Sequence, residues 1–131
     1  MEYETKSHCK YLIAPHLILV VKYRKKLRCG ALGQFVKNSI VELSKNSDFT
    51  VKEIEIDKDH IHVLMTISPK YSVSQHVRNI KQLNNHMIWG YDPSLKRQFW
   101  KEKTFWSDGY FVCSVGNASA ETIRKYIQEQ G

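Results

Sequence analysis

The sequence predicts an α+β domain on the ferredoxin-like, split β-α-β plan: an antiparallel four-stranded sheet with two helices on one face, the other face open, and a closing helix. Three patterns point to it. Residues 52–57 and 60–67 alternate apolar and polar side chains on either side of a short polar turn, the signature of a hairpin. An almost unbroken apolar run over 16–23 precedes them and suits a central strand. Two stretches of helical period, 31–44 and about 72–89, lie one before and one after the hairpin.

The elements follow in order. Strand one is HLILVVKY, rich in branched residues. Helix one carries Leu32, Phe35, Val36, Ile40 and Leu43 at three- and four-residue steps and crosses over that strand. Strand two sets Ile54 and Ile56 against Glu53 and Glu55; after the turn at 57–59, strand three sets Ile61, Val63, Met65 and Ile67 against His60, His62, Leu64 and Thr66. Helix two has the stripe Val73, Val77, Ile80, Leu83 and Met87, with Ser72 as its N-cap. Gly90, Asp92 and Pro93 mark a loop, and the aromatic, β-branched segment 105–115 is strand four, bent at Gly109. Gly116-Asn117 ends it, and Ser119 caps the last helix, with Glu121 in the first turn favoured by the helix dipole.

With 131 residues the chain is expected to form one domain, 1–131. A chain of this size buries roughly 65–70% of its unfolded surface and needs no staples. Its 42% hydrophobic content excludes global disorder. Cys9, Cys29 and Cys113 are odd in number and lack a CxxC spacing, so neither a disulfide framework nor a thiolate zinc site is expected, and the compartment is expected to be reducing and cytoplasmic. The longest apolar run, 12–21, contains Pro15 and His16 and is about half of what a bilayer-spanning helix needs; the first residues do not read as a secretory signal. The net charge of +7 is uneven, because residues 1–28 hold seven bases against two acids. A basic run directly after a strand suits an anionic polymer, although the same run also serves as a solvated edge.

His60 and His62 stand two residues apart on a strand, so both rings project to one face with β-carbons about 6.5–7 Å apart and can converge on one cation. Ile61 and Val63 take the helix-covered side, which leaves the histidines on the open one. An HxH pair on a strand is also frequently incidental. On the last helix Tyr126 and Gln130 are four residues apart and share a stripe, although Ile123, Tyr126, Ile127 and Gln130 equally fit a packing face. Two imidazoles and an amide oxygen would make an incomplete coordination shell, with positions left for water or a phosphate oxygen.

His60-Ile61-His62 within DHIHVLM, the basic strand exit VVKYRKK, the segment FWSDGYFVCSVG and the terminal KYIQEQ occur in an order that resembles the single-tyrosine HUH transposases of the bacterial and archaeal two-hundred/six-hundred-and-five insertion-sequence family, over about 16–130. The resemblance implies a metal-dependent DNA-strand transferase that acts on single-stranded DNA, recognises hairpins near the ends of its element and works as a homodimer. It implies His60 and His62 as ligands of a divalent ion, Tyr126 as the nucleophile, and Gln130 as the polar residue that completes the metal shell. Many relatives continue past the tyrosine helix, whereas this sequence stops at Gly131. The ion is expected to be Mg or Mn, guided mainly by the family. A tyrosine of pKa about 10 is phenolate in only about one molecule in a thousand at neutral pH, so it needs an activator. No GxxxxGK phosphate loop is present, in keeping with strand exchange without nucleotide hydrolysis.

DNA contacts are expected first at Lys22, Arg24, Lys25 and Lys26, and second at Lys96, Arg97, Lys101 and Lys103 with Trp100, Phe105 and Trp106 as stacking platforms. Phe105 and Trp106 equally suit the core. Arg78, Asn84 and Asn85 read as the polar face of helix two and carry no assigned role. The same pattern leaves open a non-catalytic nucleic-acid-binding domain, a domesticated relative that processes chromosomal repeat hairpins, and a structural zinc site.

Overall fold

Alternation in the sequence becomes a sheet with one dry face, and the order of its strands fixes where everything else sits. The computed structural model describes residues 4–6, 9–22, 30–98, 104–114, 125, 126, 128 and 129. Along the chain come strands β1 (Glu4–Lys6), β2 (Cys9–Tyr11) and β3 (His16–Val20), helix α1 (Ala31–Ser44), strands β4 (Phe49–Asp57) and β5 (His60–Ile67), helices α2 (Val73–Tyr91) and α3 (Pro93–Gln98), and strand β6 (Phe111–Cys113). The main sheet has the order β4-β5-β3-β6, with each neighbouring pair antiparallel. This is the expected split β-α-β order, with β3 and β5 at its centre.

A β-bulge decides which side of β4 is apolar. The register slips between Val51 and Glu53, so Lys52 has no ladder partner. Side chains on a strand alternate, so Phe49 and Val51 would otherwise face away from Ile54 and Ile56. The extra residue resets the phase and turns all four to the core side, while Glu53 and Glu55 stand opposite Leu64 and His62. Lys52 reaches out instead to Glu4, at 3.6 Å, and Glu4 also accepts a hydrogen bond from Thr66 Oγ1 at 3.3 Å.

Leu17, Leu19 and Val21, then Ile61, Val63, Met65 and Ile67, form the covered face, against Val36 and Ile40 of α1 and Val77, Ile80 and Ile88 of α2. Each fully buried side chain of this kind is worth about 1.5–3 kcal/mol of transfer free energy, before chain entropy is counted. Ser72 caps α2 as expected, with Gln75 closing a reciprocal capping box. The stripe of α2 differs from expectation at two steps: Leu83 is exposed and Asn84, one residue on, is fully buried, and Ile88 rather than Met87 enters the core. Asn84 Oδ1 accepts the Trp106 indole N–H at 3.0 Å and its Nδ2 donates to Ser39 Oγ, which donates in turn to the Val36 carbonyl at 2.7 Å. The neighbouring Asn85 accepts the Phe105 backbone N–H at 2.7 Å.

These amides explain why strand four is shorter than 105–115. Phe105 and Trp106 are drawn into the core, at 2% and 1% exposure, and touch the sheet through a lone Val21–Trp106 bridge. Only Phe111–Cys113 then pairs with β3, and Val115 lies outside the described residues. β3 stops at Val20, and Tyr23, its expected end, lies outside them too. The expected loop at Gly90 is helical, because Tyr91 stacks on Phe35 with ring centroids 4.1 Å apart and holds the last turn down. Asp92 and Pro93 start α3: Asp92 Oδ1 accepts the Ser94 N–H at 3.1 Å, and proline occupies the first helical position. The β1–β2 hairpin and α3 were not expected. Ser119 and Glu121 lie outside the described residues, and Lys125, Tyr126, Gln128 and Glu129 are helical.

Asn84→Ala orphans the Trp106 N–H, which costs about 1–3 kcal/mol, and takes from Ser39 Oγ the bond it accepts, worth about 1 kcal/mol, while its bond to the Val36 carbonyl stays. Urea unfolding is expected to show a loss of about 2–4 kcal/mol, against less than about 0.5 kcal/mol for the exposed Asn79→Ala.

Candidate active site

Residues directly opposite in an antiparallel ladder share a face. Phe111 pairs with Ile18, Ile18 with His62 and His62 with Glu55, so these four form one row. The next rows set Cys113, His16 and Leu64 together on one side, and Val20, His60 and Asp57 on the other. Ile61 and Val63 are in the core, so this is the face α1 and α2 leave uncovered. Ile18 and Val20 point to it and are nevertheless fully buried.

The two histidines have different neighbours. His60 Nδ1 lies 3.3 Å from Asp59 Oδ1; a neutral ring that donates there keeps its Nε2 lone pair free. His62 Nε2 lies 2.8 Å from His16 Nδ1, with the rings tilted and their centroids 4.9 Å apart. Burial lowers the His62 pKa below its ordinary value; the neighbouring His16 and His60 push the same way, against Glu55 and Glu53. The neutral imidazole so favoured is the form that ligates a metal. Beside it lies a cavity of about 100 Å³ lined by His16, Glu53, Glu55, His62 and Leu64. The donor chemistry therefore fits a divalent ion, although among the described residues no three His, Cys, Asp or Glu side chains group to hold one. Gln130, the expected third ligand, lies outside the described residues.

Tyr126 packs its ring on Phe111, centroids 5.6 Å apart. Since Phe111 belongs to the row of His62, the phenol rests on the same side of the sheet as the imidazole pair. Its hydroxyl is buried and has no hydrogen-bond partner among the described residues, and burial pushes its pKa up to about 12. At pH 7 that leaves about one phenolate in 100,000, two orders fewer than for an ordinary tyrosine.

The expected DNA contacts fare unevenly. Lys22 is mostly buried and its Nζ lies 3.5 Å from Asp108, so its charge is already paired. Arg24, Lys25, Lys26, Lys101, Lys103 and Trp100 lie outside the described residues, and Arg97 is exposed on α3. Phe105 and Trp106 are core residues and offer no face for a base to stack on. Sequence reasoning missed His16: its parity puts it with Ile18 and Val20, but its neighbour His62 is 46 residues away. It also missed Asp59, which reads as turn, and the structural work of Asn84 and Asn85.

A ferredoxin-like sheet thus carries, on its open face, an imidazole pair and a phenol with no hydrogen-bond partner among the described residues. Comparison with known proteins gives the family: the IS200-like transposase model matches residues 9–130, and the chain belongs to that family. It is 32% identical over 126 residues to the transposase for insertion sequence element IS200 of Salmonella typhimurium, covering 96% of this chain and 79% of that one. It is 26% identical over 120 residues to the ISDra2 transposase TnpA of Deinococcus radiodurans, covering 92% and 85%. Among solved structures, a Deinococcus radiodurans R1 protein assigned as a transposase shares the fold at a TM-score of 0.85 and 21% identity, over 97% of both chains. A REP-associated tyrosine transposase bound to a REP hairpin shares it at a TM-score of 0.54 and 13% identity, over 94% of this chain and 68% of that one. Among the described residues no helix is long and apolar enough to cross a membrane.

Because Tyr126 OH has no partner among the described residues, Tyr126→Phe is expected to leave stability unchanged or raise it by up to about 1 kcal/mol in a thermal melt. Ultraviolet pH titration of wild type minus variant is expected to isolate one phenol with a midpoint near 12 rather than 10. The folded chain holds this proton more tightly than the unfolded one, so the associated stability is complete below pH 10 and is lost as pH rises toward 12.

Proposed function

We propose that this transposase cleaves and rejoins single-stranded DNA through a covalent bond between Tyr126 and a 5′ phosphate. What supports the reading is the Tyr126 hydroxyl, buried and without a partner on the sheet face that carries His60 and His62. The phenolic oxygen attacks phosphorus in line, the bond to the 3′ oxygen breaks, and the proton lost by the phenol is balanced by one taken up on that oxygen. One phosphodiester replaces another of similar energy, so the released 3′ hydroxyl can attack a second phosphotyrosine and rejoin strands without a nucleotide cofactor. A divalent ion, Mg or Mn, bound by His60, His62 and Gln130 would withdraw charge from the scissile phosphate. Asp59 and His16 orient the two imidazoles through their second ring nitrogens. Hairpins near the ends of the element are the proposed recognition feature, and the cytoplasm, where the DNA is, the proposed place of action. A homodimer is proposed on family grounds, and among the described residues β6, a three-residue strand, is one edge of the sheet, where a second copy could pair.

The test is incubation of the chain with a hairpin-bearing, 3′-labelled single strand and Mn, followed by denaturing electrophoresis. Wild type is expected to give a labelled adduct and Tyr126→Phe none. His60→Ala is expected to lower the rate by at least about 100-fold and to lose Mn binding in calorimetry while keeping its circular dichroism spectrum. Full cleavage by folded Tyr126→Phe would refute the assignment and leave a binding domain.

A further inference from the structure

We propose that Lys81 is a positioning residue for Tyr126: its ammonium group pins three successive carbonyls of the turn before β6, and so fixes which face of the sheet receives Phe111, the ring on which Tyr126 rests. The inference rests on Tyr126 as the nucleophile. Lys81 reaches from α2, on the covered side, and its Nζ lies 2.8 Å from the Ser107 carbonyl, 3.0 Å from that of Asp108 and 2.9 Å from that of Gly109. An ammonium has three N–H donors, and here each has a backbone acceptor. Three consecutive carbonyls that converge on one point repel each other, so this turn conformation requires a cation at its focus. Burial lowers Lys81 to about 8, Asp108 raising it and Lys22 lowering it in smaller measure, so the group is still mostly charged at neutral pH.

The turn needs such a device because β6 cannot fix its own register. It makes only three ladder pairs, Phe111 with Ile18, Val112 with Leu17 and Cys113 with His16. A slip of one residue would send Phe111 to the covered face and Val112 to the open one. Upstream the chain is anchored, since Trp106 is held by Asn84 and the Ser107 N–H donates to the Val20 carbonyl at 2.8 Å. Between that anchor and the strand lie the three carbonyls Lys81 gathers, and its Nζ also lies 5.6 Å from the Tyr110 ring. Lys81 thus sets the length of chain between a fixed point in the core and the row that leads to His62.

Lys81→Met keeps the aliphatic stem and removes the charge. The folded variant is expected to bind the hairpin strand with an affinity within about twofold of wild type, yet to form the covalent adduct at least about tenfold more slowly, since misplacement near 1 Å costs up to about 100-fold. Its Tyr126 ionisation is expected to move from near 12 toward 10 as water reaches the hydroxyl. Folded Lys81→Met with the wild-type adduct rate and the wild-type ionisation midpoint would overturn the proposal. Should Lys81→Met not fold, Lys81→Arg decides by the same two readings, because a planar fork keeps the charge but cannot direct donors at three converging carbonyls. The ionisation reading needs no DNA, so it separates this inference from the proposed chemistry: absence of any adduct with wild type would count against the chemistry alone.

Discussion

The strict alternation of side chains along a strand is the constraint on which the rest of this structure depends. Ile61, Val63, Met65 and Ile67 must face α1 and α2 to be dry, and that demand leaves His60 and His62 no choice of side. The histidines are thus placed by hydrophobic energy spent on their neighbours, and no interaction of their own is needed to hold them there. The same logic runs sideways through the ladder, from His62 to Ile18 to Phe111, and brings the Tyr126 ring onto the same face. The bulge at Lys52 keeps β4 in phase with this scheme. Without it the strand would present Phe49 and Val51, or else Ile54 and Ile56, to the site.

Much of this was legible in the sequence because it is periodic. The bounds of α1 and β5 follow from apolar spacing alone, and the face of the histidine pair follows from β5. What was not legible has a common cause, in that it depends on partners far along the chain. Phe105 and Trp106 have the composition of a strand, but amides on α2, about twenty residues earlier, pull them into the core. Leu83 and Asn84 exchange roles because a buried indole N–H needs an acceptor there. Gly90 and Pro93 are local breakers that tertiary stacking and a helix start put to other uses. β1 and β2, at three residues each, are too short to show a period. His16 sits inside an apolar run that hides it.

The two faces of the sheet treat their polar groups differently. On the covered side the polar groups are paired: Asn84 bridges Ser39 and Trp106, His76 lies 3.0 Å from the Ser68 carbonyl, and Lys81 spends all three donors on one turn. On the open side stand a hydroxyl without a partner among the described residues and an imidazole biased toward its neutral form. Among the described residues the fold thus pairs the buried polar groups of one face and leaves a hydroxyl unsatisfied on the other, which under the proposed chemistry is where the reaction takes place.

That unsatisfied phenol also bears on how an IS200-like transposase could stay quiet between substrates. A desolvated hydroxyl with a pKa near 12 is a poor nucleophile in the free protein, poorer by about two orders in phenolate than tyrosine in water. Its reactivity then depends on positive charge brought close to it, and His62, which burial biases toward its neutral form, is a poor source of that charge. Under the proposed chemistry the attacking group is therefore armed only when the scissile phosphate and its counter-charge arrive together. On that proposed chemistry, burial, which looks like an obstacle to catalysis, would make cleavage conditional on a correctly bound strand.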